Sequence, residues 1–155
     1  VAGVTGTNGK TTCAWLLALA SSRLGRRAGY LGTLGAGLPP ALEETTHTTP
    51  DVPGLHAALA LVVSLGAERV ALEGSSHALD QDRLAGAPLE IAAFTNLTRD
   101  HLDYHGTLEA YAAAKRRIFA LPGLRRAVIN VGDPVGLGFA RGLPAGVELT
   151  AVSLG

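Results

Sequence analysis

The sequence predicts an α/β domain, a mostly parallel sheet flanked by helices, and three observations predict it. Six apolar, β-type runs alternate with helical stretches, the pattern of parallel strands joined by crossover helices. The first run enters its helix through a glycine-rich turn, Gly6-Thr7-Asn8-Gly9. Hydrophobic residues make up 47% of the chain, yet charges interrupt them. No stretch approaches the roughly 20 apolar residues that span a bilayer.

In chain order, the strands are predicted at residues 1–5, 28–33, 69–73, 91–96, 127–131 and 147–152. The first helix is expected over residues 10–24, stopped by Gly25. The second has Asp51 as N-cap ahead of Pro53 and ends at Gly66. A third opens on Thr107 and extends to residue 121, before Pro122 and Gly123. Residues 34–50, rich in Gly, Pro and Thr, read as a loop long enough to be functional. There is no internal repeat or linker, so residues 1–155 form one domain.

Composition narrows the function. Thirteen Lys and Arg balance thirteen Asp and Glu, which leaves no basic field for nucleic acid. No membrane partner is expected either. One cysteine excludes an internal disulfide, and with no leader in view the expected compartment is a reducing cytoplasm. The absence of Met suggests a fragment of a longer polypeptide. Eleven of the basic residues are Arg, and the two lysines are Lys10 and Lys115. Where Arg is the default cation, a retained Lys points to chemistry that needs a compact or deprotonatable amine.

Val1 to Thr12 read as strand, turn and helix start, with Lys10-Thr11 at the helix entrance. Gly6 and Gly9 let the backbone wrap its N–H groups around phosphate oxygens, the helix N-terminus adds positive charge, Lys10 reaches the β/γ-phosphates and Thr11 is placed to ligate magnesium. The pattern departs from the usual Walker spacing, because Val4 stands where the first Gly would fall. Cys13 reads as a small packing residue.

At about 100° per residue, Leu108, Tyr111, Ala112, Ile118 and Phe119 form one apolar stripe with Lys115 at its centre. Such a lysine either snorkels to the rim or is buried. Burial lowers its pKa, and the neutral amine then acts as base or nucleophile, or takes up carbon dioxide as a metal-binding carbamate. Glu73 ends a predicted parallel strand, where ligand sites of open α/β sheets lie. Residues 100–105 crowd together Asp100, His101, Asp103 and His105, a density that suits a metal or phosphate site or an ordinary polar loop. Leu102 follows His101, so the Glu of an H-E-x-x-H zinc motif is missing. Residues 73–83 offer hydroxyls, an imidazole, an amide and a guanidinium, a set suited to a polar, anionic substrate.

Thr5-Gly-Thr-Asn-Gly-Lys-Thr-Thr12 resembles the phosphate loop of the Mur ligases and their folylpolyglutamate synthetase relatives. Three further stretches are similar to the MurE type, the UDP-N-acetylmuramoyl-tripeptide synthetases: Thr48-Thr-Pro50, Glu73-x-Ser-Ser-His-x-Leu-x-Gln-x-Arg83, and Thr95-Asn-Leu-x-Arg-Asp-His-Leu-Asp-Tyr-His-Gly106 with Tyr111-x-Ala-Ala-Lys115. The resemblance covers nearly the whole chain as the P-loop NTPase-like central domain of that family. It implies an ATP-dependent amide ligase of peptidoglycan synthesis that adds the third amino acid to UDP-N-acetylmuramoyl-L-alanyl-D-glutamate through an acyl phosphate.

Carried over by motif, the resemblance implies that Gly6, Thr7, Asn8, Gly9, Lys10, Thr11 and Thr12 hold ATP, with Asn130 near the adenine. Thr11, Glu73, His101 and a carbamylated Lys115 would serve magnesium. Lys10, Glu73, His101 and Lys115 would be the catalytic set. Thr48, Thr49, Ser75, Gln81 and Arg83 would hold the UDP-N-acetylmuramoyl-dipeptide. Family members also have an N-terminal domain for the uridine nucleotide and a C-terminal domain that closes over ATP. As a fragment without those flanking domains, this chain is expected to bind nucleotide weakly and ligate nothing. Three positions depart from the pattern, Gly74, Ala78 and Gly132, and Gly74 is expected to loosen the strand end that aims Glu73. The alternatives are another ligase of the superfamily, of folylpolyglutamate or cyanophycin type, a nucleotide-binding module without catalysis, or a P-loop kinase.

Overall fold

The computed structural model describes residues 1–45 and 47–153. Its eight strands are β1 (Ala2–Thr5), β2 (Ala28–Gly32), β3 (Gly35–Leu38), β4 (Ala41–Glu43), β5 (Arg69–Glu73), β6 (Ile91–Phe94), β7 (Arg126–Asn130) and β8 (Glu148–Val152). They form one sheet in the order β4-β3-β2-β5-β1-β6-β7-β8. In that order all pairings from β2 to β8 are parallel, and the pairings β2-β3 and β3-β4 are antiparallel. The helices are α1 (Lys10–Arg23), α2 (Val52–Ser64), α3 (Ser76–Asp80), α4 (Leu102–His105), α5 (Leu108–Arg116) and α6 (Pro134–Arg141). No described helix is long and apolar enough to cross a membrane.

The predicted caps are present. The Asp51 side chain accepts from the Gly54 amide at the start of α2, and Thr107 accepts from Ala110 at the start of α5. Two expected elements need correction. Residues 34–50 hold the hairpin β3-β4 instead of a loop, position 46 lying outside the described residues. Its glycines hid it, since they supply no apolar alternation. They are required because a Cβ at Gly35 or Gly37 would stand 2.3 or 2.5 Å from a carbonyl oxygen of β4. The helix expected to reach residue 121 stops at Arg116 and tightens into a 3₁₀ turn, Arg117–Ala120, which buries both Ile118 and Phe119.

Helices cover both faces of the sheet, and strand alternation assigns side chains to each. Val4, Tyr30 and Ala71 pack with Ala14 and Ala18 of α1. On the other face Leu31, Leu72, Phe94 and Ile129 join Leu55 of α2, Ile118 and Phe139 in the larger core. Cys13 is exposed on α1 and not packed, which corrects its sequence reading. β1 lies between β5 and β6; the crossover after β1 leads to β2 on one side, and the crossover after its neighbour β6 leads to β7 on the other. The carboxyl end of β1 is therefore a topological switch point, where open α/β sheets place their ligands.

Candidate functional site

At that switch point β1 runs into the glycine-rich turn. Gly6 has φ 147° and Gly9 φ 82°, conformations that L side chains rarely adopt. A Cβ at Gly6 would also collide with Thr95 Oγ1. The turn is pinned to the residues after β6: Thr7 N donates to Asn96 O at 2.8 Å, Asn8 N to Asn96 Oδ1 at 3.0 Å, and Thr95 Oγ1 to Asn8 O at 2.7 Å. Gly9 caps α1 with no side chain, so the first amides of the helix present an anion site. Thr12 is exposed beside it.

Two amines converge on the turn. Lys10 Nζ donates to Gly6 O at 3.0 Å and Thr7 O at 2.8 Å. Lys115 Nζ donates to the same Gly6 oxygen at 2.7 Å and lies 4.4 Å over the Tyr111 ring. Lys115 is 1% exposed, so it is buried and does not snorkel. Desolvation, reinforced by the charge of Lys10 and opposed by Asp100, lowers its pKa to about 7. Burial also lowers Lys10, with Glu73 and Asp100 opposing.

Glu73 stands on the opposite, α1 side of β1 and is 1% exposed. Its two oxygens have different surroundings. Oε1 accepts from the Tyr30 hydroxyl and from Thr33 N at 3.0 Å. Oε2 accepts from Thr11 Oγ1 at 2.9 Å and Thr33 Oγ1 at 3.3 Å. Burial and this hydrogen bond push the Tyr30 hydroxyl upward in pKa, which keeps it a donor. Gly74 does not loosen the strand end: its amide donates to Val4 O at 2.8 Å, and four donors hold the carboxylate next to it. Ala78 is fully buried in α3. The Thr11 hydroxyl and Glu73 Oε2 are hard oxygen donors that suit magnesium completed by phosphate oxygens and water. Among the described residues no three His, Cys, Asp or Glu side chains form a protein-only cage.

His101 lies at the same end of the sheet but apart from this pair. It caps α4 at φ 51°, its Nε2 is 3.6 Å from Asp100 Oδ2, and its ring meets His77 edge-on at 5.0 Å. His77 in turn lies 4.2 Å from the Tyr104 ring and 5.5 Å from His105. Burial lowers the pKa of both His77 and His105.

The expected substrate residues form a second cluster beside Glu73. Thr49 is buried, donates to Glu73 O at 2.7 Å and accepts from Ser75 N. Ser75 caps α3 through Ala78 N. Thr48 Oγ1 is 3.1 Å from Thr33 Oγ1. Arg83 donates to Thr49 O and, through Nε and Nη2, to Gln81 Oε1, while Gln81 Nε2 donates to the Tyr104 hydroxyl at 2.9 Å. Asn130, the last residue of β7, donates to Thr95 O and accepts from Gly132 N.

Sequence reasoning missed Tyr30, Thr33, Tyr104 and Tyr111 as supports of these groups. The one available signal was for Tyr111, which shares the stripe of Lys115. A separate groove of about 570 Å³, lined by Leu84, Pro88, Arg117 and Leu121, is not this site. Pro88 accepts from the Val1 amino group at the opposite end of β1.

Comparison with known proteins gives consistent matches. The family model described as Mur ligase middle domain matches residues 4–152. A relative from Pseudomonas aeruginosa, named UDP-N-acetylmuramoyl-L-alanyl-D-glutamate–2,6-diaminopimelate ligase, is 58% identical over 134 residues, 86% of this chain and 28% of that protein. A relative of the same name from Ralstonia nicotianae is 53% identical over 148 residues, 96% of this chain and 29% of that protein. A solved structure of such a ligase superposes with TM-score 0.84 at 46% identity, over 99% of this chain and 31% of that one. The folylpolyglutamate synthase of Mycobacterium tuberculosis, solved with ADP and AMPPCP, shares the fold at TM-score 0.67 and 18% identity, over 96% of this chain and 42% of that one. The chain thus spans about 30% of the length of the diaminopimelate ligases it matches.

Proposed function

This chain belongs to the Mur ligase middle domain family, and on that premise we propose that residues 1–155 are the nucleotide-binding part of an ATP-dependent amide ligase. The parent enzyme joins an amino acid to UDP-N-acetylmuramoyl-L-alanyl-D-glutamate for peptidoglycan synthesis. The names of the relatives support 2,6-diaminopimelate as that amino acid. Its flanking domains supply the uridine-nucleotide and amino-acid sites, and it works in the cytoplasm.

The observation that carries this reading is the pairing of Lys10 and Lys115 on Gly6 O, with Thr11 and Glu73 directly across β1. The first amides of α1, from Lys10 to Thr12, bind the triphosphate while Gly6, Thr7, Asn8 and Gly9 shape the turn around it, and Lys10 leaves the Gly6 and Thr7 carbonyls for the phosphate oxygens. Asn130 lies near the adenine. Thr11 and Glu73 would hold one magnesium ion and His101 with Lys115 would serve a second, and the metal would supply positive charge to offset the repulsion between phosphate and carboxylate. Arg83, Gln81, Ser75, Thr48 and Thr49 orient the substrate so that its carboxylate receives the γ-phosphoryl group. The resulting acyl phosphate is displaced by the incoming amine through a tetrahedral intermediate, with phosphate leaving.

For Lys115 to serve a cation its own charge must reverse. With a pKa near 7 a large share of the amine is neutral at physiological pH and can bind carbon dioxide as a carbamate. The test is phosphate release by the purified parent enzyme, given ATP, magnesium, the nucleotide dipeptide and 2,6-diaminopimelate. Release that needs all four components is expected. No release with any amino acid overturns the ligase assignment.

A further inference from the structure

Thr5, the last residue of β1, is fully buried, and its hydroxyl has no hydrogen-bond partner. Among the described residues no other buried side-chain N or O atom is left so. Burying a hydroxyl unpaired is unfavourable, so its position at the mouth of the phosphate turn calls for a physical reason.

The surrounding contacts locate it. Successive residues of a strand point to opposite faces, so Thr5 shares the face of Gly3 and not that of Val4. A Cβ at Gly3 would stand 3.2 Å from Ile118 Cδ1, which lies about one turn beyond Lys115. Further along, the Thr7 hydroxyl is 3.2 Å from the Tyr111 hydroxyl, about one turn before Lys115. The two contacts run in opposite senses along strand and helix, and Thr5 falls between them, at the level of Lys115. Lys115 Nζ is 2.7 Å from the carbonyl oxygen of the very next residue, Gly6.

We propose that the Thr5 hydroxyl is the built-in donor to a carbamate on Lys115, an inference that rests on the Lys115 reading above. The neutral Nζ attacks the carbon of carbon dioxide and a C–N bond forms. One C=O electron pair moves onto oxygen, a proton passes from nitrogen to water, and the Nζ–COO⁻ group remains. Its N–H continues to donate to Gly6 O, while one carboxylate oxygen accepts from Thr5 Oγ1. The hydroxyl is unpaired only while the amine is unmodified. Thr5 is a positioning residue: it holds the carbamate in one orientation.

The experiment equilibrates the full-length parent enzyme with ¹³C-bicarbonate and reads the lysine carbamate by ¹³C NMR in wild type, Thr5→Val and Thr5→Ser. Loss of a hydrogen bond to a charged group raises the carbon dioxide needed for half occupancy roughly tenfold in Thr5→Val. Thr5→Ser keeps the hydroxyl and stays near wild type. In carbon-dioxide-free buffer Thr5→Val melts no lower than wild type, because a methyl replaces an unpaired hydroxyl, and its stabilisation by bicarbonate shrinks. Thr5→Ala serves the same comparison where the valine variant misfolds. Equal occupancy in wild type and the hydroxyl-free variants overturns the role of Thr5 and leaves the Lys115 reading intact. A wild type without any carbamate overturns both.

Discussion

Lys10 and Lys115, more than a hundred residues apart, donate to one acceptor, the carbonyl oxygen of Gly6, at 3.0 and 2.7 Å. Two ammonium groups so close repel each other, and part of the lowering at Lys115 comes from Lys10. Like charge gathered at the edge of a sheet is an arrangement that an anion relieves. The sharing of Gly6 O therefore ties the proposed phosphate site and the proposed Lys115 chemistry together.

Lys10→Ala removes the cation proposed to reach phosphate and, with it, that repulsion. In the parent enzyme ATP affinity, read by titration calorimetry, should fall at least about tenfold, in line with loss of a charged hydrogen bond. An unchanged titration curve counts against the cradle.

Lys115 gives a pH dependence of definite sign. Below about pH 7 the amine is protonated in both folded and unfolded chains. Between there and the ordinary lysine value of 10.5 the unfolded chain holds a proton that the folded one lacks, so stability rises with pH across that window. In carbon-dioxide-free buffer the melting temperature of wild type relative to Lys115→Met should climb above pH 7. A flat difference would refute the buried, depressed amine.

Lys115→Arg retains charge and length but has no deprotonated form and so no carbamate. Ligation by the parent enzyme should be lost while the fold, followed by circular dichroism, persists. Surviving ligation shows that the metal role is wrong.

Tyr30→Phe keeps the ring that meets Trp15 edge-on at 5.4 Å and deletes the donor to Glu73 Oε1. A stability loss of about 1.5–3 kcal/mol is expected for a hydrogen bond to a charged group. Gly32→Ala strikes the same point harder, since its Cβ would stand 2.2 Å from Glu73 Oε1. Both variants should need more magnesium for half-maximal ligation, with the alanine variant the worse. A wild-type magnesium requirement in both removes Glu73 from the metal site.

Tyr104→Phe frees the Gln81 amide, whose other end holds Arg83. In the parent enzyme KM for the nucleotide dipeptide should rise several-fold with kcat nearly unchanged, because the lost contact acts on substrate binding. A fall in kcat at constant KM would place this cluster outside the substrate site.

The parallel sheet, the capped helices at Asp51 and Thr107 and the glycine turn with Lys10 and Thr11 were legible in the sequence, because each rests on local periodicity or on a cap within three residues. The hairpin β3-β4 was not legible. Its glycines are demanded by a neighbouring backbone that no local pattern reveals. Helical spacing put Lys115 on an apolar stripe but left open whether it snorkelled or was buried.

The sequence by itself determined most of the element types and the glycine-rich turn with the side chains that border it, since these follow from residue type and spacing along one chain. Only the tertiary structure decided that Lys115 is buried against Gly6, that Glu73 is held by Tyr30 and Thr33, and that the Thr5 hydroxyl is buried without a partner. The physical reason is that burial and hydrogen-bond partners depend on strand order. At the switch point beside β1 the groups that meet come from segments separated by tens of residues.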